Sequence, residues 1–147
     1  MTRPTERQSA ARDLVHAELR TLRAMITGIE GSLVATSDGL LLAHDIPDLE
    51  PARLAALVST TLSLARQAVR ETGRGEFREA LARGTAGYLM VYAAGSNAVV
   101  AIIGDAQLNV AMMQYQARET IERITACSGD LGRWSGAAEL PEAEKPR

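Results

Sequence analysis

Only one cysteine, Cys127, stands in the 147 residues of the chain. It excludes an internal disulfide and any multi-thiolate zinc site, and a fold without a cysteine framework suits a reducing cytoplasm. Aromatic residues are almost as scarce, at 3% of the chain, so few large rings are available to line a ligand pocket. Neither sign of charge prevails. A net charge of -2 offers no general attraction to phosphate backbones or anionic membranes, and nucleic acid is not an expected partner. No uninterrupted apolar run approaches the length of a membrane span, and Met1 to Asp13 is polar, without the apolar core of a secretory signal. The expectation is a soluble, cytoplasmic protein with no membrane insertion.

The signatures of catalysis are missing as well. No Gly-Lys-Ser or Gly-Lys-Thr follows a strand, and Gly73-Arg74-Gly75 lacks the third glycine of a dinucleotide fingerprint, so the chain is not expected to be a GTPase itself. His16 and His44 fall on different elements with no cysteine nearby, which gives a metal site or a Ser-His nucleophile little support. Ser37 and Asp38 precede Gly39, where short polar side chains hydrogen-bond the backbone of their own turn. Met90, Met112 and Met113 are assigned to packing. No catalytic residue, cofactor or metal is therefore expected.

What the chain does have is 46% hydrophobic against 23% charged residues, enough apolar surface for one domain of this length. Val15, Leu19, Leu22 and Ile26 recur at helical steps and predict a first helix over about Ser9–Thr27, closed by Gly28. Ser32–Thr36 and Leu40–His44 flank Ser37-Asp38-Gly39 and predict a hairpin. Pro51 suits a first helical turn, and Ala52–Thr72 has no internal Gly or Pro, which predicts a central helix. Glycines then separate three short segments, Glu76–Arg83, Tyr88–Ala93 and Ala98–Ile103. The last two have strand composition; the first prefers helix by propensity, and only its flanking glycines mark it as a strand. Ala106–Cys127 carries Val110, Met113, Ala117, Ile121 and Ile124 on one stripe and predicts a helix that covers the sheet and ends before Gly129. The domain should span residues 9–128, between a disordered stretch at 1–8 and a disordered tail at 129–147 holding Trp134.

The central helix is the unusual element. At about 100° per residue, its apolar positions cover roughly half of the circumference, more than one sheet contact requires. Leu57, Thr61, Leu64 and Ala68 are the candidates for packing against a second copy. The rest of the helix carries Arg53, Ser59, Ser63, Arg66 and Arg70, with no acid between Ala52 and Arg70. These five are the candidates for contact with an acidic partner surface.

Three stretches then carry a family likeness. Ile29-Glu30-Gly31-Ser32-Leu33-Val34-Ala35-Thr36-Ser37-Asp38-Gly39-Leu40 resembles the first hairpin of the Roadblock (dynein light chain type) family. Gly87–Val91 and Ala98–Ile103, with Asn109 ahead of the last helix, resemble its later strands and helix entry. The likeness runs from about Val15 to Ile124; each motif is common alone, and their succession is more specific than any one of them. It implies an α+β fold, a profilin-like five-stranded antiparallel sheet with helices on both faces in the order α-β-β-α-β-β-β-α. It also implies a homodimer that binds a Ras-like small GTPase and regulates its nucleotide state or assembly, sometimes beside a sensor-kinase-like protein. The competing expectation is a small-molecule sensor of the same topology, which would need an internal pocket.

Overall fold

A computed structural model describes the backbone of residues 6–138 and the side chains of residues 6–127. The elements run α1 (Glu6–Met25), β1 (Ile29–Thr36), β2 (Leu41–Asp45), α2 (Pro51–Glu71), β3 (Glu79–Gly84), β4 (Gly87–Ala94), β5 (Ala98–Asp105) and α3 (Val110–Ala138). The strands form one antiparallel sheet in the order β2-β1-β5-β4-β3. This is the expected fold and element order.

The sheet is coated unequally. Alternation along the strands sends Val34, Met90, Tyr92, Val100 and Ile102 to one face, where they share a core with Val15, Leu19 and Leu22 of α1 and Met113, Ala117 and Ile124 of α3. The opposite face sends Leu33, Ala35, Val91, Val99 and Ala101 to a smaller core completed by Ala55, Val58 and Leu62 of α2. Two helices thus cover one face and a single helix the other. An ion pair from Arg123 Nε to Glu18 Oε2, 2.8 Å, ties α3 to α1.

Several boundaries differ from expectation for local reasons. Helix α1 starts at Glu6, not Ser9, because Glu6, Arg7 and Gln8 are good helix formers and the acid suits the positive end of the helix dipole. Strand β3 begins at Glu79, not Glu76, since Phe77 leaves the strand line to pack on the α2 face of the sheet. The last helix begins at Val110, where Asn109 Oδ1 accepts the Met112 N–H at 3.0 Å as an N-cap; Ala106 lies in a turn held by Asp105 Oδ1 and the Gln107 N–H, 2.9 Å. It continues past Gly129 to Ala138, within the stretch expected to be a disordered tail. A glycine costs a helix only about 1 kcal/mol relative to alanine, and the next proline is Pro141. The expected disorder of residues 1–5 and 139–147, and the Trp134 side chain, lie outside what is described.

Candidate interaction surface

The sheet has to hold α2 by its inner face before the outer face can serve anything. Ala55, Val58 and Leu62 supply the apolar contact and are fully buried. Ser59 supplies a polar one: its hydroxyl donates to the Thr36 carbonyl oxygen at 2.8 Å and is buried. The hairpin turn rests directly on the helix there. Gly39 adopts φ +98°, and a Cβ at that position would lie 3.4 Å from Ala56 Cα. The left-handed φ of the turn is what calls for glycine at position 39, while a Cβ there would only touch the helix.

The placement corrects one expectation. Ser59 was expected on the partner-facing stripe, but it is turned inward and consumed by the hairpin, so it is not an exposed contact residue. A small polar residue beside a cationic stripe reads as solvated until the turn that packs on it is placed. Ser63, Arg53 and Arg70 are exposed, and Arg66 is half-buried, its Nη2 donating to the Gly95 carbonyl oxygen at 3.2 Å. The arginine is thereby leaned toward the β4–β5 hairpin.

On the outer face, Leu57 and Leu64 are 60% and 61% exposed, Ala68 is exposed and Thr61 half-buried. The spacing 57, 61, 64, 68 is the four-three-four rhythm of a helix–helix seam. Thr61 adds little polarity to it, because its hydroxyl donates back to the Leu57 carbonyl oxygen at 2.9 Å. Covering each leucine would contribute on the order of 1.5–3 kcal/mol.

Strand β3 is an edge of the sheet and pairs only with β4. Its Leu81 is 48% exposed, and Arg83 lies over the Tyr88 ring at 5.9 Å from the centroid. Close by, an open groove of about 1030 Å³ runs from Arg66 and Arg70 of α2, past the 75–79 segment, to Gln114, Tyr115 and Arg118 of α3. Gln114 Nε2 donates to Glu79 Oε2 at 2.8 Å across it. On the groove wall, burial followed by the nearby Glu79 charge pushes the Tyr92 phenol well above its ordinary value.

The remaining candidates fall elsewhere. Among the described residues no cluster of three or more His, Cys, Asp or Glu side chains is arranged to hold a metal ion. His16 of α1 and His44 of β2 lie near enough for the charge of one to act on the other, and burial with Arg12 and then His44 lowers the His16 pKa. Met90 and Met113 are core residues, as expected; Met112 is 54% exposed, since it falls one position off the buried stripe of α3. No helix among the described residues is long and apolar enough to cross a membrane.

The domain is thus a five-stranded antiparallel sheet with paired helices on one face and, on the other, one helix that keeps Leu57 and Leu64 outward. The family model of the Roadblock/LC7 domain matches residues 16–104, and the chain belongs to that family. An uncharacterized protein of Methanocaldococcus jannaschii, MJ1340, is 29% identical over 100 residues, which are 67% of this chain and 87% of that one. Among solved structures, a Roadblock/LC7 domain from Streptomyces avermitilis superposes with a TM-score of 0.71 at 22% identity, covering 76% of this chain and 94% of its own. MglB in a tetrameric arrangement gives a TM-score of 0.75 at 19% identity, covering 83% and 93%.

Proposed function

We propose that the protein is a cytoplasmic, non-enzymatic homodimer that binds a Ras-like small GTPase and modulates its nucleotide state or its assembly. The observation that carries this reading is the outer face of α2, where an apolar seam of Leu57, Thr61, Leu64 and Ala68 runs beside exposed Arg53, Ser63 and Arg70 with Arg66 at the rim. The seam supplies apolar surface for a second copy. The cationic stripe supplies charge for an acidic partner surface, and ordering a GTPase's switch loops from outside needs no catalytic group of its own. Membership of the Roadblock family supports the GTPase as that partner. A ligand sensor finds less support, since the large groove is open to solvent and both cores are packed mostly with aliphatic residues.

The test is capture of a Ras-like GTPase, loaded either with GDP or with a non-hydrolysable GTP analogue, on the immobilised full chain. One nucleotide form should be retained, and Arg66→Glu should release it. Failure to retain either form would overturn the reading.

A further inference from the structure

The chain has five aromatic residues, one Trp, three Tyr and one Phe, and Phe77, Tyr92 and Tyr115 all line the one groove between α2, the start of β3 and α3. Tyr115 is 73% exposed there. Packing accounts for Tyr92 and Phe77, which sit against the two cores, but not for Tyr115. The same groove receives four guanidinium groups from three elements, Arg66 and Arg70 from α2, Arg78 from the segment before β3, and Arg118 from α3. Arg70, Arg78 and Arg118 have no carboxylate within ion-pair distance among the described residues. Three carboxylates, Glu76, Glu79 and Glu122, also line the groove, so the arginines exceed them by one, and Glu79 is engaged by Gln114. The exposed Tyr115 ring and the half-buried Phe77 lie beside them.

We infer that this groove is a binding site for a short acidic peptide segment of a partner protein, with an apolar residue set among its carboxylates. Unpaired arginines are suited to carboxylates, which they can grip through two parallel N–H donors, and the exposed tyrosine and the phenylalanine offer an apolar seat between them. A groove of about 1030 Å³ has room for several residues. The site shares Arg66 and Arg70 with the α2 stripe but is completed by Arg78, Arg118 and Tyr115, which the GTPase reading does not use. It stands or falls separately from that reading.

The probe is a fluorescein-labelled peptide of glutamates around one central leucine, titrated with the full chain and followed by fluorescence anisotropy. Saturable binding should weaken with added salt. Arg118→Glu and Tyr115→Ala should each weaken it at least tenfold with an unchanged unfolding midpoint, while Arg53→Glu, which lies outside the groove, should leave it unaltered. Retention of a Ras-like GTPase by Arg118→Glu would separate the two sites. The inference is overturned if no saturable binding occurs, if a peptide with lysines for glutamates binds as well, or if Arg53→Glu is as damaging as Arg118→Glu. Tighter binding of a single-stranded oligothymidine than of the peptide would equally overturn it, reassigning the groove to a nucleic acid.

Discussion

The two edges of the sheet are guarded differently. At the β2 edge, α1 reaches across: Arg12 Nε donates to the Leu42 carbonyl oxygen at 3.0 Å, and Arg23 pairs with Asp45 at 3.0 Å. At the β3 edge, the side-chain contacts of Glu79 and Arg83 lie over the sheet surface, and the central Leu81 stands 48% exposed. Exposed strand edges invite pairing, and proteins that must stay single cover them. The contrast repeats between the faces, one coated by two helices and the other by a single helix that keeps two leucines outward. Together these features locate the surfaces available to another chain on the α2 and β3 side of the molecule.

The largest effect should come from the helix seam. Leu57→Glu with Leu64→Glu would place charges where the proposed dimer is dry, weakening self-association by at least a hundredfold, read as a shift in the dissociation constant by sedimentation. Next come the edges themselves. Leu40 beside β2 and Leu81 on β3 are almost equally exposed, at 46% and 48%, so lysine at each is a matched pair. Leu81→Lys should weaken association about tenfold and Leu40→Lys not measurably, if only the β3 edge is covered by a second copy. Equal effects would erase the distinction between the edges.

Smaller effects concern stability alone. Ser59→Ala removes the donor to the Thr36 carbonyl and should lower the unfolding free energy by about 1 kcal/mol in a urea titration, with association unchanged. The smallest is a pH effect at the β2 flank. The His16 pKa is lowered in the folded chain, so below pH of about 6.5 the unfolded chain takes up the proton first. Stability is then lost as pH falls from that value through the folded-state pKa. His16→Gln should flatten this acid-side decline in a pH series of thermal midpoints.

Much of this architecture was legible in the sequence because its punctuation is local. Asp38-Gly39 dictates a turn, and the apolar stripes of α1 and α3 follow from helical spacing. The over-wide apolar arc of α2 was equally legible, since Leu57 and Leu64 cannot share a direction with Val58 and Leu62 on one helix. What escaped were contacts that join distant segments. The burial of Ser59 depends on a contact with Thr36, 23 residues earlier, and the start of β3 depends on where Phe77 packs. The arginine groove draws on three separate elements, so no window along the chain contains its pattern. The end of α3 escaped for another reason: glycine weakens a helix without forbidding it.

The central claim, that the outward seam of α2 is covered by a second copy of the chain, is tested most directly by sedimentation equilibrium of the full-length protein over a dilution series. The account predicts the mass of two chains at micromolar concentration, falling to one only on strong dilution. The mass of a single chain at every concentration would contradict it.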